Sequence, residues 1–282
     1  MMRVGAKLPN SGVLPAQLGI PHMAATLEAA GFASLWVSDH VVMPETVTSR
    51  YPYAADGAAT WATDDPWYDS IVALSMAAAV TSRVELGTAV LVLPQRQPVI
   101  LAKEVASLDR LSGGRVVLGV GAGWLAEEFA ALATPFESRG RRADEWIALL
   151  RACWTGRPAA FAGEHYQLPA GVVCEPTPLR PVPILVGGTT PAALRRARNH
   201  GDGWLGIQSF DALDQSLVAS AVVGAGTGRN VLRIVGSAGH GERVAAALAG
   251  LAVAGITDVV VDVDWTADVA AQAARLLEAA AN

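Results

Sequence analysis

The sequence predicts a (β/α)8 barrel, and three observations predict it. Eight short apolar runs alternate with eight longer helical patterns along the chain. The runs are apolar without interruption, as strands buried on both faces of a parallel sheet must be. The 282 residues divide into units of about 35, the size of one strand–helix unit. Eight such units favour closure into a barrel over an open doubly wound sheet. One barrel domain routinely reaches this length, so residues 1–282 are read as a single domain with insertions at its C-terminal face.

The strands are expected at residues 4–8, 34–37, 84–92, 115–119, 183–186, 203–206, 231–235 and 258–261. The helical patterns fall at 22–30, 68–80, 98–111, 139–154, 191–199, 211–221, 242–254 and 267–280. Gly224, Gly226 and Gly228 interrupt the pattern after the sixth helix. Two segments exceed ordinary loop length. Residues 42–66 follow the second strand and carry Tyr51, Tyr53 and Trp61, with Trp67 and Tyr68 just beyond. Barrel enzymes place their sites on that side of a strand. Aromatics are costly to leave in solvent, so the segment is read as a substrate cover, with surface decoration as the alternative. Residues 155–182, rich in proline and glycine, are read as a loop.

Composition narrows the function classes. Hydrophobic residues make up 52% and charged residues 17%, which suits a large core and excludes disorder. A formal net charge of −5 argues against nucleic-acid binding, which needs a basic face. The longest uncharged apolar stretch, residues 244–256, is shorter than the ~18 residues of a transmembrane helix. The N-terminus runs straight into a strand pattern, against a signal peptide. Cys153 and Cys174 form no C-x-x-C pair and are read as two free, buried thiols, consistent with a cytoplasmic protein.

The sequence lacks H-E-x-x-H, G-x-S-x-G, P-loop and EF-hand patterns. Gly121-Ala122-Gly123-Trp124-Leu125-Ala126 matches the dinucleotide fingerprint G-x-G-x-x-A. A Rossmann unit would continue with a strand ending in an acidic residue about 20 positions on, whereas here a charged helix follows. The glycines are therefore read as a tight turn beside a flat ring. Asp39-His40 closes the second strand, where a carboxylate and an imidazole suit binding and proton transfer. A helix-capping aspartate with a structural histidine fits the same pair equally well. His22, His165, His200 and His240 have no such setting and are read as structural.

Gly187-Gly188-Thr189-Thr190-Pro191 joins the fifth strand to a helix. Thr190 suits the N-cap and Pro191 the first turn. The glycines and the helix N-terminus favour a phosphate there over an ordinary turn. Asp262 and Asp264 lie on one side of the eighth strand. With no histidine or third carboxylate beside them, no metal is expected.

Taken together, several stretches resemble the luciferase-like monooxygenase superfamily, specifically its F420-dependent oxidoreductase branch from actinobacteria. They are Gly31-Phe32-Ala33-Ser34-Leu35-Trp36-Val37-Ser38-Asp39-His40, Leu86-Gly87-Thr88-Ala89-Val90-Leu91, Ser112-Gly113-Gly114-Arg115, Gly119-Val120-Gly121-Ala122-Gly123-Trp124 with Glu128-Phe129, and Gly201-Asp202-Gly203-Trp204. The resemblance implies a deazaflavin (coenzyme F420) or FMN lying across the barrel mouth. It implies cofactor contacts from Asp39, from a non-prolyl cis peptide at Ala89-Val90, from Gly121, Gly123 and Trp124, and from a phosphate turn at Gly187, Gly188, Thr189 and Thr190. His40 would handle the substrate proton. F420-dependent sugar-phosphate dehydrogenases of the family carry a glutamate just after the Gly-x-Gly turn. Trp124 stands there in this chain, which argues against sugar-phosphate oxidation. Hydride transfer between F420 and a small organic substrate is the expected activity, with a homodimer expected. An FMN-dependent monooxygenase and a non-catalytic F420 carrier are the alternatives.

Overall fold

The computed structural model describes residues 2–54, 56–59 and 61–281. Eight parallel strands form the barrel: β1 (Arg3–Lys7), β2 (Ser34–Val37), β3 (Glu85–Thr88, resumed at Leu91–Val92), β4 (Val116–Gly121), β5 (Ile184–Gly187), β6 (Gly203–Ser209), β7 (Arg229–Val235) and β8 (Asp258–Val261). The ring closes on both sides. β1 pairs with β8 through Val4↔Val259, and β3 pairs with β4 through Leu86↔Val116.

The interior of the ring is one apolar layer of Trp36, Val117, Leu185, Leu205, Val231 and Val260. Its N-terminal end is plugged by ion pairs of Arg3 and Arg229 with Glu85 and Asp258. Trp36 needs its neighbour to be glycine, because a Cβ at Gly87 would stand 2.3 Å from the indole ring. Strand periodicity then dictates the mouth. Two residues beyond the layer come Ser38, Gly187, Ile207, Arg233 and Asp262, all on the C-terminal side.

Ten helices surround the ring among the described residues, and local chemistry sets their ends. Helix α3 (Ser70–Val80) starts at Asp69, whose side chain accepts from Ile71 and Val72 N–H. Helix α4 (Pro98–Ser112) has Gln97 as its cap, Pro98 at its first turn and left-handed Gly113 at its end, the usual proline-in, glycine-out arrangement. Arg115 follows Gly113-Gly114 and turns inward. Its guanidinium donates to Ala78, Thr81 and Val84 carbonyls at 2.9–3.1 Å, tying the end of α3 to the start of β4. The Ser-Gly-Gly-Arg signature is thus a fold device, independent of any cofactor.

Several expected elements differ. The third strand is not continuous, since Ala89 and Val90 leave the ladder and their shared peptide is cis, as the resemblance implied. The helix expected at 211–221 lies at Gln215–Ala225 (α8), because Asp214 caps it with bonds to Ser216 and Leu217 N–H. It runs through Gly224 and stops at Gly226, where φ is +90°. Two short helices escaped the periodicity reading, α1 (Leu14–Leu18) and α5 (Ala126–Ala131). The 155–182 segment is not all loop: Phe161–Ala162 and Gln167–Leu168 pair as an antiparallel hairpin. Both cysteines are free, but only Cys153 is fully buried. Among the described residues, no helix is long and apolar enough to cross a membrane.

Candidate active site

The C-terminal mouth opens into a cleft of about 700 Å³. Its lining includes every site residue expected from the sequence: Asp39, His40, Ala89, Val90, Gly121, Gly123, Trp124, Gly187, Gly188, Thr189 and Thr190. These come from the ends of four strands, β2 to β5, that lie side by side in the ring.

One wall is Ala89–Val90. Glycines flank it, and each is needed for space: a Cβ at Gly121 would meet Val90 Cγ2 at 2.7 Å, and one at Gly187 would meet Val90 Cγ1 at 2.8 Å. Asp39 holds this wall from behind. It is buried, and its Oδ2 accepts from Val92 N–H at 3.0 Å. Its Oδ1 accepts from Arg96 Nη2 at 2.6 Å and Ser70 Oγ at 3.1 Å. Three donors occupy most of what a carboxylate can accept, so the Asp39 side chain positions the wall. Buried Asn10 sets the same strand end. Its amide donates to Ser38 O and Tyr68 O, and its carbonyl accepts from Ser38 N–H and Lys7 Nζ, all at 2.8–2.9 Å. Burial and the neighbouring Arg233 charge, opposed by Asp262, hold the Lys7 ammonium well below the usual lysine range.

His40 is buried against a carboxylate that the sequence reading left unassigned. Glu128 projects from α5, and its Oε2 lies 3.1 Å from His40 Nδ1. The same carboxylate accepts from Gln95 Nε2 and from Val41 and Val42 N–H. Burial pushes the Glu128 carboxyl up, but the His40 bond and charge, Gln95 and the Val41 amide outweigh it and hold it below its ordinary value. An ionised carboxylate only accepts, so Nδ1 carries the proton and Nε2 is the nitrogen offered to the cleft. The signal for Glu128 was a glutamate in the first turn of a short helix after the Gly-x-Gly turn. Its partner, however, lies 88 residues away.

An aromatic cage surrounds the imidazole. Trp67 packs edge-on at 4.7 Å between ring centroids, with Trp61 at 5.6 Å and Trp124 at 6.2 Å. Tyr51 joins from the 42–66 segment, 5.1 Å from both Trp61 and Trp124. That segment therefore lines the cleft. Glu127, beside Glu128, pins it by accepting from Thr48 and Ser49. Burial opposes ionisation of Glu127, yet these hydroxyl and amide bonds bring its carboxyl down to about 2. Among the described residues, the buried indole N–H groups of Trp61 and Trp67 have no partner.

The other end of the cleft is the turn before α7 (Pro191–His200). Thr190 caps the helix by accepting from Ala193 N–H at 3.2 Å, and Pro191 begins it. Gly188 has φ +109°, a left-handed value that favours glycine. Arg139 and Arg196 line the same region. Their guanidiniums are fixed by Gly123 O and Phe136 O and by Asp144 and Gly140 O, respectively. Asp262 pairs with Arg233, and Asp264 caps the Thr266 turn. Each aspartate is thereby committed to a structural partner.

Comparison with known proteins places the chain in a family and matches its fold. The family model for luciferase-like monooxygenases matches residues 15–255. An uncharacterized protein of Mycobacterium tuberculosis is 40% identical over 194 residues, covering 68% of this chain and 67% of that one. An F420-dependent glucose-6-phosphate dehydrogenase of Kineococcus radiotolerans is 33% identical over 207 residues, covering 72% of this chain and 56% of that one. The fold matches that of an F420-dependent secondary alcohol dehydrogenase solved with an F420–acetone adduct, with a TM-score of 0.76, 17% identity and 99% of both chains covered. The chain belongs to the luciferase-like monooxygenase family.

Proposed function

We propose that this protein is an F420-dependent oxidoreductase that transfers a hydride between the deazaflavin and a small organic substrate. One observation carries the reading. The His40–Glu128 pair faces the same cleft as the glycine-flanked Ala89–Val90 wall and the Gly188–Thr190 turn. The F420-dependent relative and structural neighbour support the choice of cofactor.

The residues fit such a group. Ala89 and Val90 form a backing wall, and Gly121 and Gly187 beside it add no side-chain bulk. Gly188, Thr189 and Thr190 offer amides at a helix N-terminus for a phosphate, with Arg139 and Arg196 alongside. When bound, the deazaflavin supplies hydride exchange at its C5. The protein supplies the rest. His40 Nε2 takes or returns the proton of the substrate oxygen, and Glu128 holds the tautomer this requires. Trp61 and Trp67 offer two indole donors from within the cage, and Tyr51 and Trp124 exclude water. Glu128 also meets the absence of a glutamate at position 124: the carboxylate reaches the histidine from the next helix. An exposed apolar stripe of Val72, Met76 and Val80 on α3 supports the homodimer in this reading.

Side-by-side fluorescence titration with F420 and FMN tests the proposal. F420 is expected to bind at least about tenfold more tightly, a difference of ~1.4 kcal/mol, and to turn over with a panel of small alcohols and ketones. The reverse order, with oxygen consumed by reduced FMN, would make the protein a flavin monooxygenase. Tight F420 binding without turnover on any substrate would make it a carrier.

A further inference from the structure

A second cluster lies outside the cleft, where the 161–168 hairpin folds onto α6 (Arg139–Cys153). Glu145 on α6 accepts from the N–H groups of Glu164, His165 and Tyr166 at 2.9–3.1 Å. The His165 N–H reaches both Glu145 oxygens, so the three donors hold that carboxylate firmly against the hairpin turn. The His165 side chain is only 9% exposed, and its Nε2 is buried with no hydrogen-bond partner. That nitrogen lies 3.8 Å from Glu164 Oε1. The ligating atoms of Glu145, Glu164 and His165 all fall within 4.8 Å of one another.

A buried imidazole nitrogen beside two carboxylates is a Lewis base facing two anions. We propose that Glu145, Glu164 and His165 bind one divalent transition metal, with Zn²⁺ the best-fitting ion, and that the metal clips the hairpin to α6. Zinc accepts mixed imidazole and carboxylate donors at about 2.0–2.2 Å, and neutral imidazole selects it over Mg²⁺ or Ca²⁺, which prefer all-oxygen sites. Glu164 is largely exposed, so water completes the coordination. Arg141 lies 3.8 Å from the other Glu164 oxygen. Both of those side chains are solvent-exposed, so that pair is weak and readily displaced. The role is structural, holding a segment whose own hairpin is two residues per strand.

The test uses the full chain stripped with chelator and titrated with zinc sulfate by calorimetry. One Zn²⁺ per chain is expected, and zinc at about 100-fold excess over Kd should raise Tm by several degrees. His165→Ala and Glu164→Gln should each weaken zinc binding by about tenfold or more. Glu164→Gln alters an exposed side chain, so it decides the matter even if His165→Ala folds poorly. No saturable binding by the unmodified chain would overturn the proposal. So would zinc affinity left unchanged by Glu164→Gln, which would place the ion elsewhere.

Discussion

The Glu128 carboxylate bonds His40 through one oxygen, at 3.1 Å from Nδ1, and the backbone of the two following residues through the other, at 2.6 Å from Val41 N–H and 3.2 Å from Val42 N–H. One side chain thereby sets the imidazole's position, its tautomer and the start of the covering segment. Glu128→Gln keeps the shape but can donate to Nδ1, which favours the tautomer with its proton on Nε2. Turnover is expected to fall by about 10–100-fold with cofactor affinity nearly unchanged. Steady-state kinetics and a binding titration on the same variant check this. Equal losses in both would reduce Glu128 to a fold residue.

Gly188 separates phosphate binding from ring binding. Its φ of +109° is unfavourable for any residue with a Cβ, and that atom would stand 3.0 Å from Ala193 Cβ. Gly188→Ala should therefore cost stability of about 1–3 kcal/mol, read by urea unfolding. It should also weaken F420 more than a truncated deazaflavin without the phosphate. Equal losses for the two forms would assign the turn to the ring pocket instead.

Glu127 anchors the cover. Removing its carboxylate frees the amides of Thr48 and Ser49 and the hydroxyl of Ser49, which it now accepts. In Glu127→Ala, limited proteolysis within residues 42–66 should accelerate several-fold, as expected for a segment whose local opening has become easier. The value of kcat/KM should drop more than cofactor affinity does. Cleavage at the unmodified rate would show that the aromatic cage alone holds the segment.

The cage also predicts an alkaline weakness. Burial, with Tyr53 adding and Arg233 opposing, pushes the Tyr51 phenol up to about 12, and burial raises Tyr53 as well. In the unfolded chain phenols ionise near 10. Between those values the folded state binds more protons than the unfolded one, so stability falls as pH rises. The contribution is fully present below about 10 and is lost through about 12. Tyr51→Phe should flatten the decline of urea midpoints across that window. A parallel curve for the variant would mean that Tyr51 ionises freely in the fold.

Much of this molecule was legible in the sequence because much of it obeys short-range rules. Unbroken apolar runs gave the eight strands, and Thr190-Pro191 marked a helix start through a bond spanning three residues. Asp39-His40 and the Gly187-Gly188 turn were visible because strand ends of a parallel barrel face one mouth. Tertiary structure alone decided what those residues touch. Val92 N–H and Arg96 claim the Asp39 carboxylate from 53 and 57 positions away, which makes it a support for the wall. Glu128 reaches His40 across 88 positions, and no local pattern marks such a pair. His165 was read from the sequence as structural, and only the hairpin shows its Nε2 buried beside two carboxylates. Periodicity and capping act within a few residues. The partner of a buried charge is chosen by tertiary packing, which brings distant segments within hydrogen-bond reach and leaves each desolvated group only the neighbours the fold supplies.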